Sequence, residues 1–170
     1  SPTRSLIRIH LHPWSNPTFG AAYQPIGAPP GYNDWRPDLG ACSYGNTSTG
    51  GGVVSSERFM LVSQRENNNT SNFGNTVASD VHMTWFEVTS GATSATFLHD
   101  EVVRGSTTHD YERPNVRQQG SNELWPVVWQ GYKNLQFSGN WTVAGTVYGV
   151  RVTAQSQPIQ VATITPPNQA

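Results

Sequence analysis

The sequence predicts an all-β protein, an antiparallel β-sandwich that resembles a jelly roll, and three observations indicate this fold class. Charged residues make up only 12% of the 170 residues, against roughly a quarter in ordinary soluble domains. Valine outnumbers leucine, and hydroxyl and amide side chains supply most of the polar surface, which is typical of strands. Short apolar runs are separated by turn signals and do not alternate with helical segments.

The strand candidates follow one another along the chain. Residues 6–12 alternate apolar and polar side chains and end at Pro13. The apolar residues of 141–154 change face beside Gly145 and Gly149, which predicts a β-bulge or a sharp bend there. Residues 109–126 predict a loop with at most one helical turn. The remaining candidates are residues 58–64, 81–89, 93–99, 101–104, 127–130, 135–138 and 158–165.

Residues 13–52 predict a long ordered arm or loop within a single domain that covers residues 1–170. Proline and glycine recur too often in this segment for a helix or a long strand. The segment also holds more aromatic residues than disordered linkers carry. We therefore expect it to lie across an apolar surface, either its own sheet or a neighbouring subunit.

Charge and composition disfavour several classes of partner. The formal net charge is −1, and no cluster of lysine and arginine is present that could neutralise a row of phosphates, so no direct nucleic-acid binding is expected. No apolar run approaches the roughly 18 residues of a membrane span, and no signal-peptide pattern occurs. Cys42 is the only cysteine; it can form no internal disulfide and is expected to be simply packed.

Two groups of histidines are weak candidates for a metal site. His10 and His12 lie on one face of the first strand candidate, but Arg8 shares that face and no carboxylate ligand follows, so a polar outer face is favoured. His99 and His109 each begin an acid-rich segment, and the two segments meet only if a hairpin joins them. Adjacent strand residues face opposite sides, so Asp100 and Glu101 cannot both join His99. No cofactor is expected.

Catalytic motifs are not found. The chain has no serine elbow of the GxSxG type, and its GGG stretch lacks the Lys-Ser/Thr of a phosphate loop. No pair of carboxylates stands out as a glycosidase pair. We therefore expect a protein that is not an enzyme, with a metal-dependent enzyme as the third choice of function.

The aromatic residues of the predicted arm are the better functional signal. Aromatic rings beside amide and charged side chains are typical of protein interfaces and of sugar-binding surfaces, although the same rings could simply cover their own sheet. The sequence thus predicts a non-catalytic structural or recognition protein of an extracellular assembly, with a virus or phage capsid, protrusion or accessory subunit as the first choice. The partners would be neighbouring copies or other subunits, and the location extracellular or on a virion surface. The alternative is a secreted, lectin-like glycan-binding module. The candidate interface or glycan-binding residues are Trp14, Tyr32, Asn33, Asp34, Trp35, Arg36 and Tyr44.

Overall fold

The computed structural model describes residues 7–8, 25–26, 32–49, 52–67, 79–89, 92, 94–105, 109–117, 124–133, 141–150 and 158–164. These residues form strands and no helix, which confirms the all-β prediction for this part of the chain. Since these ranges contain no helix, they contain none that is long and apolar enough to cross a membrane. The strands are β1 (Ile7–Arg8), β2 (Pro25–Ile26), β3 (Tyr32–Thr49), β4 (Gly52–Asn67), β5 (Ser79–Thr89), β6 (Thr96–Arg104), β7 (His109–Val116), β8 (Leu124–Lys133), β9 (Trp141–Val150) and β10 (Pro158–Ile164).

The longer strands form two antiparallel sheets of four strands each. Strands β3 to β6 make the first, which we call sheet 1, and β7 to β10 make the second, sheet 2, while β1 pairs with β2 separately. Within each of these sheets, strands that are consecutive in the chain are hydrogen-bonded neighbours. A jelly roll instead places non-consecutive strands side by side, so the predicted jelly-roll connectivity is not confirmed by the described strands.

One hydrophobic core contains side chains from both sheets. Alternate residues of a strand lie on the same face, and the inward residues of β4, β5, β7, β8 and β9 meet in this core. The rings of Trp85 and Trp125 pack edge to face across it, with centroids 5.1 Å apart, which is a favoured arrangement for aromatic pairs. The buried members are Met60, Val62, Val81, Met83, Trp85, Tyr111, Val116, Trp125, Val127, Trp129 and Tyr148.

Sheet 1 is apolar on its other face as well. Leu61, Phe86 and Ala95 form a second buried cluster there, and the rings of Phe59 and Phe86 stack with centroids 5.2 Å apart. This two-sided burial explains why residues 59–62 of β4 are apolar in succession rather than alternating.

The prediction of an irregular arm over residues 13–52 is wrong for residues 32–49, which form strand β3. β3 is an end strand of its sheet, and proline is tolerated in end strands because one side of the strand has no ladder to complete. Pro37 lies in a bulge between Trp35 and Asp38, and a second irregularity lies between Tyr44 and Asn46. Residues 25–26 also pair, as β2; the rest of the predicted arm lies outside the described residues.

The predicted loop over residues 109–126 is likewise wrong for residues 109–116 and 124–126, which belong to β7 and β8. β7 is also an end strand, and Pro114 lies in its bulge between Glu112 and Asn115. The two bulges match, because each contains an Arg-Pro pair whose arginine has a positive φ, 47° at Arg36 and 53° at Arg113. A left-handed conformation costs a residue with a side chain about 1–2 kcal/mol, so both bulges are strained.

The bulge predicted in β9 at Gly145 or Gly149 is wrong in position. The pairing of β8 with β9 runs without a shift, and the irregularity lies in β10 between Gln160 and Ala162. Gly149 leaves room for that bulge, because a Cβ at this position would lie 3.1 Å from Val161 Cγ1. The change of face has another cause: β9 carries apolar residues on both sides.

The other strand predictions have mixed outcomes. Residues 58–64 and 81–89 lie within β4 and β5 as predicted. Residues 96–99 of one candidate and 101–104 of the next belong to a single strand, β6, and residues 127–130 are part of the longer β8. Residues 135–138 lie outside the described part, as does most of 6–12.

Candidate functional site

Among the candidate residues predicted from the sequence, the structure describes the side chains of Asp34, Trp35, Arg36 and His99. Trp14, His10 and His12 lie outside the described residues. Tyr32, Asn33 and Tyr44 lie in β3, and His109 is the first residue of β7.

Asp34, Trp35 and Arg36 are neighbours in β3, but their partners differ. Asp34 is buried and binds Arg65, whereas the half-buried Trp35 lies close enough to the Glu66 carboxyl to act on its pKa. Arg36 forms an ion pair with Glu112 of sheet 2. Because adjacent side chains of a strand face opposite sides, these residues do not form one continuous platform for a ligand.

A group that we call the carboxylate cluster lies where the starts of β3 and β5 and the end of β4 meet the start of β7. Gln64 is its centre in sheet 1: its Nε2 donates to Glu66 Oε1 at 3.0 Å and to Ser79 Oγ at 3.1 Å. Its Oε1 accepts a hydrogen bond from Arg36 Nη1 at 3.2 Å. The cluster consists of Arg36, Gln64, Glu66, Ser79, Asp110 and Glu112.

The carboxylate cluster also joins the two sheets. Ser79 Oγ contacts Asp110 Oδ1 and lies 2.8 Å from the Tyr111 carbonyl oxygen, and Arg36 binds Glu112. The contacts of a buried serine and an arginine with β7 therefore fix this end of sheet 2 against sheet 1.

Two carboxylates of the cluster are harder to ionise than usual. Burial, reinforced by the charge of Asp110, raises the pKa of Glu66. Burial also raises the pKa of Asp110; the hydrogen bond from Ser79 opposes this effect and the charge of Glu112 adds to it. In the described ranges no three His, Cys, Asp or Glu side chains are grouped so that they could hold a metal ion.

A second polar group, which we call the histidine network, lies on the other face of sheet 1. Arg65 binds both oxygens of Asp34, at 2.7 and 3.1 Å, and its Nη1 lies 2.8 Å from His82 Nε2. Since a guanidinium can only donate, Nε2 must accept and the proton of the neutral ring lies on Nδ1. That Nδ1 is 3.1 Å from Asp100 Oδ1. The network consists of Asp34, Arg65, His82, Thr84 and Asp100.

Asp100 is the exposed end of this network. Burial acts to raise its pKa, but the hydrogen bonds from His82 and Thr84 and the charge of Arg65 outweigh that effect, so the pKa is lowered. The arrangement makes His82 a poor candidate for general base, because its Nε2 faces Arg65 rather than open solvent.

The two acid–histidine segments lie in different sheets and do not form a hairpin with each other. His99 Nε2 lies 2.8 Å from Glu101 Oε2, whereas Asp100 points to Thr84 and His82. This confirms that Asp100 and Glu101 cannot both join His99. Burial and the neighbouring Glu101 raise the pKa of Tyr148.

The outer face of sheet 2 is the feature that sequence reasoning missed. Val127 and Trp129 point into the core, so Val128, which lies between them, points outward. It is exposed, as are apolar residues of β9 and β10. We call Val128, Val143, Ile159 and Val161 the apolar face; their exposed fractions are 38%, 47%, 43% and 56%. From residue 124 to 131 and throughout β9 and β10 the strands contain no charged residue and no histidine.

A signal for this face was present in the sequence. Strands without any charge and with apolar residues on both sides predict burial on both sides, yet in sheet 2 one of these sides is exposed.

Comparison of the chain with protein-family models, with curated proteins and with solved structures found no match.

Proposed function

We propose that the chain is a non-catalytic structural subunit of an extracellular assembly, and that this assembly is a virus or phage particle in which the chain is a capsid, protrusion or accessory subunit. The observation that carries the proposal is the apolar face of sheet 2. Contiguous exposed apolar surface without charges is typical of protein interfaces, and charged residues are depleted at interface centres.

The strength of a contact through this face favours a multi-subunit assembly over a tight isolated pair. Burying a half-exposed valine or isoleucine contributes about 1 kcal/mol, since full burial contributes roughly 1.5–3 kcal/mol. The stabilisation from burying four such side chains therefore lies near the lower end of the free-energy cost of association, which is about 4–15 kcal/mol. Repeated contacts between linked subunits overcome this limit through a high effective concentration.

Finer features of the fold belong to the same proposal. We infer that sheets 1 and 2 stack as a β-sandwich around their common core, and that the aromatic segment preceding β3 acts as an arm that contacts a neighbouring subunit. The lack of a lysine and arginine cluster supports a position away from a packaged genome.

Sedimentation velocity over a range of protein concentrations tests the proposal. Val143→Lys places a charge on the apolar face. The matched control, Val102→Lys, alters an equally exposed valine (51%) of sheet 1. We expect the wild-type chain and the control to sediment faster as concentration rises, and Val143→Lys to associate more weakly than either.

The proposal is wrong if both variants associate as the wild type does, or if the wild type is monomeric at every concentration. In the second case, saturable quenching of tryptophan fluorescence by simple sugars would favour the glycan-binding module instead.

A further inference from the structure

The two four-stranded sheets have four end strands, and these differ in how they are protected. Sheet 1 ends in β3 and β6, and sheet 2 ends in β7 and β10. An end strand presents unpaired N–H and C=O groups to any extended chain, and proteins block such pairing with charges, prolines and bulges.

Three of these four strands carry such protection. β3 and β7 each contain an Arg-Pro bulge flanked by acidic residues, which are Asp34 and Asp38 in β3 and Asp110 and Glu112 in β7. β6 has no proline but carries a row of ionisable side chains: His99, Asp100, Glu101 and Arg104.

β10 is the exception. Its sequence, PIQVATI, has no charged residue, and its proline stands at the first position, where strands tolerate it. β10 does have a bulge, at Val161, but this bulge packs closely on Gly149 of β9. Residues 159–163 are all exposed, so neither face of the strand is covered along this length.

The composition of β10 favours a second copy of β10 as its partner. A charged strand paired with β10 would place its charges beside the apolar side chains of Ile159 and Val161. An uncharged strand would instead form apolar and β-branched cross-strand pairs with them. Among the end strands of sheets 1 and 2, β10 is the one without charge. Antiparallel pairing of a strand with its own copy also generates a two-fold axis, the commonest symmetry of oligomers.

We propose that β10 pairs edge to edge with β10 of a second copy across a two-fold axis, so that the two copies of sheet 2 become one continuous sheet. This inference rests on the proposed function and deepens it, since it names the partner and the strand that binds it. Pairing through the edge leaves the apolar face of the joined sheet open for a further neighbour.

A double variant separates the edge from the apolar face. Gln160 and Thr163 lie opposite Tyr148 and Thr146, whose side chains are buried on the core side of sheet 2; they therefore lie on the side away from the apolar face. Gln160→Lys with Thr163→Lys places two charges on the edge strand. The control pair, Phe97→Lys with Val102→Lys, alters two exposed residues of the already charged edge strand β6.

Hydrogen exchange and sedimentation are measured together on the full chain. We expect those backbone amides of residues 159–164 that point away from β9 to become protected in the wild type as concentration rises. The β10 double variant should lose this protection and dissociate at least tenfold more readily, while the control pair should behave as the wild type does.

The hydrogen-exchange experiment on the wild type needs no variant, so misfolding of a variant cannot obscure the result. If the chain associates, yet the β10 amides exchange equally at all concentrations, or the β10 double variant associates normally while Val143→Lys does not, the edge pairing is refuted and the assembly proposal stands. If the wild type is monomeric throughout, both proposals fail.

Discussion

At the scale of single residues, the buried ion pair of the histidine network joins two strands rather than neighbours in the sequence. Arg65 is 7% exposed and is held by Asp34, which is 1% exposed, and the two are separated by 31 positions in the chain. Removing one member of a buried ion pair leaves an uncompensated charge. Asp34, which was predicted from the sequence to be an interface or glycan-binding residue, is therefore already paired with Arg65 inside the fold.

Glu66 gives a prediction about pH. Its pKa is raised above 4.5 in the folded state, so the folded chain binds a proton here more tightly than the unfolded chain does. The contribution of this group to stability is thus complete below about pH 4.5, and is lost as the pH rises through the raised pKa.

We therefore expect Glu66→Gln, which cannot ionise, to be more stable than the wild type at pH 7 and to lose this advantage in acid. Urea unfolding at a series of pH values measures the difference. Glu57→Gln is the matched control, because Glu57 is an exposed residue of the same strand. A Glu66→Gln variant that is less stable than the wild type at pH 7 would contradict the burial argument.

At the scale of elements, the two Arg-Pro bulges give a prediction about backbone strain. Arg113 has a φ of 53° and a side chain that is 58% exposed, so a substitution there changes the backbone preference more than the packing. Glycine adopts this conformation without steric cost, whereas a β-branched residue is a clear outlier in it.

We expect Arg113→Val to be less stable than Arg113→Gly by about 1–2 kcal/mol, measured by chemical denaturation. The same pair of substitutions at Asn115, beyond the bulge and exposed, should show the reverse order because valine suits a strand better than glycine does. Equal stability of the two Arg113 variants would mean that the bulge is not strained.

The elements found from the sequence are those whose signal is local. Residues 58–64 and 81–89 were predicted because apolar runs and alternation report burial directly. β3 and β7 were missed because proline and glycine were taken to end regular structure, and only the position of a strand at the edge of its sheet makes Pro37 and Pro114 acceptable. That position depends on long-range pairing, which no local pattern contains.

The same limit applies to the candidate site. Asp34, Trp35 and Arg36 were identified as polar and aromatic neighbours, but their separation onto different partners follows from a strand assignment that the sequence did not predict. The apolar face was missed although its strands were partly recognised. Uncharged strands with apolar residues on both sides resemble buried core strands, so the sequence did not predict that one side is exposed.

At the scale of the whole molecule, close packing between the sheets gives a further prediction. Gly40 of sheet 1 is buried against Trp125 of sheet 2, and a Cβ at Gly40 would lie 2.9 Å from Trp125 Cζ3. Trp125 is fully buried, so its ring has little room to move away.

We expect Gly40→Ala to destabilise the chain by about 1–3 kcal/mol, as overpacking of a core does, although alanine suits a strand no worse than glycine. Thermal unfolding measured by far-ultraviolet circular dichroism and by tryptophan fluorescence should shift together, because the core belongs to both sheets. Wild-type stability in Gly40→Ala would contradict the packing of the two sheets described above.

The mass of the wild-type protein in solution tests most directly whether the chain assembles with further copies, as the proposed contacts of sheet 2 require. Sedimentation equilibrium should give an average mass that rises with concentration above the 18.6 kDa of one chain. A mass of one chain at every concentration, including the highest that stays soluble, would contradict the claim.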